Sequence, residues 1–344
     1  MSSHPKLSIL IVNWKSVDFL EKCLASIYST CGSISFEVIV YDNASFDGSE
    51  AMIRSRFSGV QFIQGMENVG FAQSNNLAFQ VARGEYLLFL NPDTELTELS
   101  LDTLCACLDL FPKAGIVGPR LLNSDLSLQD SCVQSFPTIA NQILDTHVLR
   151  RIFPNADLWG NRAVQQTGNV PIKTDAVSGA CLLARRTAFE AAGCFTTAYF
   201  MYCEDVDLCY KVALAGWDVL HLGSAVVVHH GGQSSSKEIK SNFAAIMTRE
   251  SLYRFMLMRR SPTYARVFRF CVAIIALARI VLLAAASVVT LGMARPSLKP
   301  AFVKWWGILR WALGLEAWAD QNRNSVTVPH KARENTRLYA KFEN

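Results

Sequence analysis

The sequence lacks the short motifs that identify several common classes of α/β enzyme. It contains neither a GxGxxG fingerprint nor a Walker A loop, so a dinucleotide-binding domain and a P-loop nucleotidase both lose their main support. It also lacks the GxSxG elbow that presents a nucleophilic serine. Any enzyme chemistry must therefore be carried by other residues.

Charged residues and closely spaced cysteines are also scarce. Charged residues make up 18% of the chain and hydrophobic residues 51%, which is too apolar for a disordered protein. The net charge of +4 is mild, so we expect no nucleic-acid partner. The ten cysteines form no CxxC pair and no signal peptide precedes the first predicted strand, so we expect reduced thiols in a cytosolic protein.

Strands and helices alternate along the first part of the chain. Apolar, β-branched runs predict strands, and apolar residues at helical spacing predict helices between them. The predicted strands are 7–12, 36–41, 60–63, 86–90 and 116–118, and the predicted helices are 17–28, 47–57, 72–82 and 97–110. This order predicts an α/β fold with a mostly parallel sheet and helices on both faces.

Polar residues follow three of these elements at the edge where such sheets bind ligands. Asp42 to Ser45 follow the second strand, Asn91 to Asp93 follow the fourth, and a glycine loop at 67–76 opens a helix. Each patch alone is explained by turns and caps. Together, in this order, they favour a functional site, and Asp93 suits a hard cation such as Mg2+ or Mn2+.

Three carboxylates lie within four positions at Glu204, Asp205 and Asp207. Neighbouring like charges raise one another's pKa and are costly to bury, so the cluster points to a cation or to a proton that is removed. The alternative is structural, because acidic residues also stabilise the N-terminal turn of a helix, predicted here from about Asp205 to Ala215.

The C-terminal third is unusually apolar. Phe270 to Ala294 is long enough to cross a bilayer and carries only Arg279 as a charge, and a tryptophan-rich segment follows at 300–318. Arginine and lysine flank the first segment on both sides, so an in-plane hairpin explains it as well as a crossing does. A soluble helical hairpin or a dimer contact remains open. We predict a catalytic domain at 1–250, a membrane-associated hydrophobic helical hairpin within 251–325, and a polar tail at 326–344.

Taken together, these segments resemble glycosyltransferase family 2, the inverting enzymes of the GT-A fold, and in particular its rhamnosyltransferase-like branch of bacterial surface polysaccharide synthesis. The resemblance covers about residues 7–236. The matching segments are Ser8 to Trp14, Asp42 to Ser45, Glu67 to Phe71, Asn91 to Asp93, Val177 to Ala180, Glu204 to Cys209 and Val228 to Ser234.

The resemblance implies a nucleotide-sugar donor, dTDP- or UDP-linked, and a divalent metal, Mg2+ or Mn2+. Asp42 would hydrogen-bond the nucleobase, and Asp93 would match the metal-holding aspartate of the family's DxD motif. The first acid of that motif is Asn91 here, so His229 would add coordination, although a lone histidine at a strand end is more often structural. The donor-binding residues implied are Val12, Asn13, Asp42, Asn68, Gly70, Asn91 and Asp93.

The resemblance also assigns the acidic cluster. Asp205 would be the general base that deprotonates the acceptor hydroxyl, with Glu204 as the alternate. Gly179, Ala180 and Tyr202 would meet the acceptor. Direct displacement by one base predicts inversion, so a β-linked dTDP-rhamnose would give an α-rhamnoside.

The apolar C-terminal segment then indicates where the enzyme works. An acceptor on a polyprenyl diphosphate would place it at the cytoplasmic face of the inner membrane, peripheral or anchored; a saccharide acceptor is the alternative. From another class, a non-catalytic nucleotide-binding or assembly protein at the membrane also fits the fold, although the intact Asp93 and Glu204-Asp205 argue against it.

Overall fold

The computed structural model describes residues 4–30, 32, 34–145, 147–153, 156, 168–231, 242–290 and 295–320. They fall into two compact units, and both units are assembled from separate parts of the chain. The first takes the described residues of Met1–Phe136, Asp145–Phe200 and Glu204–Glu238, and the second those of Pro137–Leu144, Met201–Cys203 and Ile239–Asn344. The predicted tail at 326–344 and motif positions 232–234 lie outside the described residues.

The first unit is a mixed α/β structure. Its strands are β1 Leu7–Asn13, β2 Phe36–Asp42, β3 Val60–Gln64, β4 Tyr86–Leu90, β5 Thr94–Leu96, β6 Ala114–Leu122, β7 Val133–Gln134, β8 Ile172–Lys173, β9 Ala176–Val177, β10 Cys181–Arg185 and β11 Asp218–His229. Helices α1 to α4 are Val17–Thr30, Ser49–Arg56, Phe71–Phe79 and Ser100–Leu110. Helix α5, Ile139–Leu144, belongs to the second unit, and helices α6 to α8 of the first are His147–Ile152, Arg186–Ala191 and Glu204–Leu214.

Nine strands form one sheet in the order β3-β2-β1-β4-β10-β6-β11-β5, with β8 paired to β11. Strands β1 to β4 are parallel to one another, and β6 is parallel to β11. Strand β10 is antiparallel to both β4 and β6, and β5 and β8 are antiparallel to β11. The predicted mostly parallel sheet is confirmed.

Helices cover both faces of this sheet because successive side chains of a buried strand point to opposite sides. Every residue of β1 is buried. Ile9 and Ile11 share a core with Leu20 and Leu24 of α1. On strand β4, Phe89 packs its ring 4.9 Å from that of Phe189 in α7. The nine cysteines among the described residues are all present as thiols.

The predicted elements differ from the structure mainly at their ends. Helix α4 begins at Ser100 and not at Thr97, because the short strand β5 occupies Thr94–Leu96. Strand β6 continues to Leu122, well beyond the predicted Gly118, since it pairs with the long strand β11. The span 119–175 contains β7, α5, α6 and β8 in its described part, where the sequence showed only weak patterning.

The second unit is helical. Its longer helices are Phe243–Arg259, Pro262–Val289 and Arg295–Ala312, followed by the short Ala317–Asp320. Arg269 joins two of them, because its guanidinium donates to the carbonyl oxygens of Trp311 and Ala312 at 2.7 and 3.0 Å. Glu250 is buried and accepts hydrogen bonds from Arg254 Nε at 2.9 Å and Trp311 Nε1 at 2.8 Å. The predicted hydrophobic helical hairpin therefore corresponds to the helices at 262–289 and 295–312.

Candidate active site

The polar residues predicted at strand ends meet at one edge of the sheet. The ends of β1 and β2 lie side by side, since Asn13 pairs with Asp42 in register. Strand β4 runs parallel to β1, so the residues after Leu90 emerge at the same edge. Strand β10 begins at this edge because Cys181 pairs with Leu90. The loop before β10, which includes Gly179, is thereby brought to the same edge of the sheet.

Asp42 is held by a buried network at the end of β2. Its Oδ1 accepts from Asn13 Nδ2 at 2.7 Å, and its Oδ2 accepts from the Ser45 amide and Gln64 Nε2, both at 2.8 Å. Asn13 is 0% exposed, and its own side-chain oxygen accepts from Ser16 at 2.8 Å. The hydrogen bond from Asn13 therefore fixes the orientation of the Asp42 carboxylate. Val12, the residue before Asn13, is also buried.

The glycine loop is tied to the end of β2 by a second network. Asn43 Nδ2 donates to Asn68 Oδ1 at 2.7 Å, and the Gly70 amide donates to the same oxygen at 3.0 Å. Gly70 has φ +84°, and a Cβ there would lie 2.4 Å from the carbonyl oxygen of Phe200. Only glycine fits this position without a shift of the backbone. The predicted residues Asn68 and Gly70 thus lie at the Asp42 edge.

Asp93 and His229 form a close pair beside this edge. Asp93 Oδ1 lies 3.3 Å from His229 Nε2, and the Asp93 carboxylate is only 4% exposed. Asn91 Nδ2 lies 3.5 Å from the same imidazole nitrogen. His230 faces elsewhere, towards Glu95 at 2.8 Å. The histidine predicted to approach Asp93 is therefore the one that does.

This pair fits a small divalent cation. Two adjacent ligands of an octahedral ion with bonds of about 2.1 Å lie about 3.0 Å apart, close to the observed separation of 3.3 Å. A carboxylate oxygen suits Mg2+ and Mn2+, and a neutral imidazole is a common metal ligand in proteins. Within the described part of the chain, no group of three or more histidine, cysteine, aspartate or glutamate side chains forms a complete cage. The remaining ligands would come from a diphosphate and water, as is common for Mg2+.

Asp205 lies at the start of helix α8 against the Gly179 loop. Its Oδ2 accepts from the Gly179 amide and its Oδ1 from the Val206 amide, each at 2.8 Å. A Cβ on Gly179 would lie 3.1 Å from the Asp205 Cβ, so glycine permits this approach. The next residue, Ala180, accepts from the Asn91 amide at 2.9 Å. This chain of contacts connects the loop that carries Asp205 to the loop that carries Asp93.

Burial changes the acid–base properties of the acidic cluster. Burial raises the pKa of the Asp205 carboxyl, and the hydrogen bonds from Gly179 and Val206 oppose that change. Burial, helped by the neighbouring Asp205 charge, raises the pKa of Glu204 to about 8. Glu204 is 7% exposed and its Oε2 has no hydrogen-bond partner, so the side chain resembles a neutral acid near pH 7. Asp205 is the better-oriented carboxylate of the two.

The third acid of the cluster supports the loop before the helix. Asp207 is fully buried and accepts from Thr196 Oγ1 at 2.6 Å and from the Tyr199 hydroxyl at 3.3 Å. These hydrogen bonds connect Asp207 to the loop that precedes helix α8. Tyr202 belongs to the second unit and has φ +70°, so its role towards an acceptor stays a prediction.

Gln129, which lies beside the pair formed by Asp93 and His229, was not predicted from the sequence. Gln129 Oε1 lies 2.8 Å from His229 Nδ1, although the two residues are 100 positions apart. Gln129 follows no predicted strand and matches no motif, so nothing in the sequence signals its position.

Comparison with known proteins agrees with this geometry. The model of the family described as glycosyl transferase family 2 matches residues 8–191, which is more than half of the chain. The chain belongs to glycosyl transferase family 2. Its relatives include the N-acetylglucosaminyl-diphospho-decaprenol L-rhamnosyltransferase of Mycobacterium tuberculosis, 29% identical over 77% of this chain and 88% of the relative. They also include rhamnosyltransferase WbbL of Escherichia coli, 24% identical over 73% of this chain and 93% of that protein.

Solved structures support the GT-A type of fold for this family 2 glycosyltransferase. The mannosyltransferase PcManGT of Pyrobaculum calidifontis, solved in complex with GDP-Man and Mn2+, matches with a TM-score of 0.57 at 18% identity. The match covers 93% of this chain and 89% of that one. The protein is thus a family 2 glycosyltransferase whose sequence is similar to those of rhamnosyltransferases.

Proposed function

We propose that this glycosyltransferase moves a sugar, rhamnose from dTDP-rhamnose, to a lipid-linked saccharide with inversion at the anomeric carbon. The observation that carries the proposal is the arrangement of Asp42, Asp93 and Asp205 at one edge of one sheet. The Asn91–Ala180 and Gly179–Asp205 hydrogen bonds connect the Asp93 loop to Asp205, and strand pairing places Asp42 at the same edge. The choice of rhamnose rests on the relatives from M. tuberculosis and E. coli, which are rhamnosyltransferases. The dTDP carrier is the expectation stated above from the family resemblance.

The donor would bind along the ends of β1, β2 and β4. The Asp42 carboxylate accepts three protein hydrogen bonds, which leaves acceptor capacity for a nucleobase N–H group. The Asn68–Gly70 loop opens helix α3, whose first amide groups favour an anion. Asp93 and His229 would hold Mg2+ or Mn2+, and the bound ion would supply charge stabilisation for the departing diphosphate.

Asp205 would take the proton from the acceptor hydroxyl. Its two accepted amide hydrogen bonds fix the carboxylate plane, while burial keeps its pKa above the usual aspartate range. A base held in this way contributes about 100- to 10,000-fold to the rate. Because a single base assists attack from the face opposite the leaving diphosphate, the product has inverted configuration.

The predicted acceptor-binding residues beside Asp205 are small. The loop at Gly179 and Ala180 has no bulky side chain beside Asp205, which leaves room for a sugar hydroxyl to approach.

The apolar helix at Pro262–Val289 supports a lipid-linked acceptor and work at the inner face of the cytoplasmic membrane. Among the described residues, this is the helix that is long and apolar enough to span a bilayer. Only 11% of its most apolar stretch is buried. Phe270, Ile274, Leu277 and Val281 form a stripe at spacings of four, three and four and are 52 to 66% exposed. A helix on a soluble protein would carry polar residues on such a face.

Charges are kept away from this stripe. Arg269 is engaged by the carbonyl oxygens of Trp311 and Ala312, and Arg279 lies 5.7 Å from the ring centre of Trp305 within the same unit. Arg266 donates back to its own helix at Pro262. The stripe is therefore suited to hydrocarbon, whereas a soluble coiled coil would have charged residues beside its apolar seam.

Membrane association is tested with vesicles of phosphatidylcholine and phosphatidylglycerol. We expect wild-type protein to sediment with them and the variant Leu277→Glu to lose most of that binding, since a charge would enter the hydrocarbon. The matched control is Leu110→Glu, at an exposed leucine of the first unit. Equal sedimentation of both variants would contradict the assignment.

A second candidate function is that of an assembly protein that binds nucleotide but does not catalyse sugar transfer. The experiment that separates the two combines a panel of nucleotide-sugars, including dTDP-rhamnose and UDP-sugars, with MnCl2 or MgCl2 and a saccharide acceptor. Wild-type protein should transfer or slowly hydrolyse one donor. Asp205→Asn should reduce transfer at least 100-fold while donor binding is retained. The unfolding midpoint should fall only modestly, since asparagine can accept one of the two amide hydrogen bonds. If wild-type protein binds a donor but neither transfers nor hydrolyses it, the assembly function is preferred.

A further inference from the structure

A polar relay extends from the metal pair to a turn at the surface. His229 Nδ1 lies 2.8 Å from Gln129 Oε1, and Gln129 Nε2 donates to Asn123 Oδ1 at 3.1 Å. Asn123 Nδ2 in turn donates to Ser127 Oγ at 2.9 Å and to the Leu128 carbonyl oxygen at 3.4 Å. The relay thus ends on a backbone atom whose hydrogen-bonding role is fixed.

That fixed end sets the direction of every hydrogen bond in the relay. A carbonyl oxygen only accepts, so the amide nitrogen of Asn123 faces Leu128 and its oxygen faces Gln129. Gln129 must then present its nitrogen to Asn123 and its oxygen to His229. An oxygen facing Nδ1 requires a hydrogen on Nδ1. In a neutral imidazole this leaves Nε2 as a bare acceptor.

The bare nitrogen points at another acceptor. His229 Nε2 lies 3.3 Å from Asp93 Oδ1, and the nearby Asn91 Nδ2 is 3.5 Å away, too far for a strong hydrogen bond. The lone pairs of Nε2 and Oδ1 repel unless positive charge is placed between them. We propose that Gln129 is a positioning residue that holds His229 in the Nδ1–H tautomer, so that Nε2 can coordinate the divalent cation shared with Asp93. This proposal rests on the metal role assigned above.

The backbone holds Gln129 firmly enough for that task. Its amide donates to the Leu121 carbonyl oxygen at 3.0 Å, and the Asn123 amide donates to the Ser127 carbonyl oxygen at 2.8 Å. These bonds fold the chain after β6 into a tight return that sets Gln129 beside the end of β11. Partners of this kind, which orient a ligating histidine, typically change metal affinity 10- to 100-fold.

The test measures Mn2+ binding by electron paramagnetic resonance of the free ion, with dTDP present and separately with UDP. Gln129→Ala should weaken Mn2+ binding about 10-fold, whereas Gln129→Glu should stay within about 3-fold because a carboxylate still accepts from Nδ1–H. In a His229→Ala background, Gln129→Ala should have no further effect. Gln61→Ala, at an exposed glutamine of β3, is the matched control.

A second readout is independent of metal and of activity. In the metal-free protein, 15N chemical shifts of His229 should report hydrogen on Nδ1 in wild-type protein and a mixture of tautomers in Gln129→Ala. The proposal is overturned by hydrogen on Nε2, by an imidazolium paired with Asp93 at pH 7.5, or by an equal loss of Mn2+ affinity with and without His229. If Mn2+ binding depends on Asp93 but not on Gln129, this inference alone fails. If Mn2+ does not bind, the proposed metal role fails as well.

Discussion

Replacing Glu204 by glutamine should make the folded protein less sensitive to alkaline pH. Burial raises the pKa of this carboxyl from 4.5 to about 8, while in the unfolded chain it titrates near 4.5. Between these values the folded state keeps a proton that the unfolded state has lost. Stability therefore falls as pH rises through this window, by about 1.4 kcal/mol per pH unit. The full interval corresponds to about 5 kcal/mol.

The assay is urea unfolding of wild-type protein and Glu204→Gln at several pH values from 5 to 8. Glutamine is neutral throughout, so its stability relative to wild type should increase by up to about 4 kcal/mol across that range. Titrating groups that do not interact with Glu204 cancel in this difference, whereas the neighbouring Asp205 contributes to it because the two charges act on each other. Glu50→Gln, at an exposed glutamate paired with Arg54, is the control and should show no such trend. If the difference between Glu204→Gln and wild type is constant from pH 5 to 8, the carboxyl is ionised in the folded state and the reasoning is refuted.

Two glycine substitutions test the geometry of the site. Gly70→Ala should destabilise the protein by about 1–3 kcal/mol in urea unfolding, because a Cβ would lie 2.4 Å from a carbonyl oxygen at a φ of +84°; an unchanged midpoint would contradict this. Gly179→Ala should fold normally but lower kcat about 10-fold, because its Cβ would press on Asp205 at 3.1 Å and displace the base. If only KM changes, Gly179 contacts the acceptor and does not position the base.

The sequence accounts for the fold to the extent that local patterns determine it. Buried parallel strands are continuous apolar runs, so β1 and β4 were predicted close to their true limits. Short elements such as Thr94–Leu96 carry no periodic signal, because three residues are too few to show alternation. Strand β10 was not predicted, since an antiparallel strand inserted between β4 and β6 depends on pairing between distant segments.

The sequence by itself determined which residues end the strands, and therefore which polar side chains reach the ligand-binding edge of the sheet. Only the tertiary structure decided which of them meet. Strand β10 brings Gly179 to Asp205, and a turn after β6 brings Gln129 to a histidine 100 residues away. The protonation state of Glu204 also depends on the fold, because a pKa is set by burial and neighbouring charge rather than by sequence position. Long-range pairing and desolvation act between segments that local sequence patterns cannot connect.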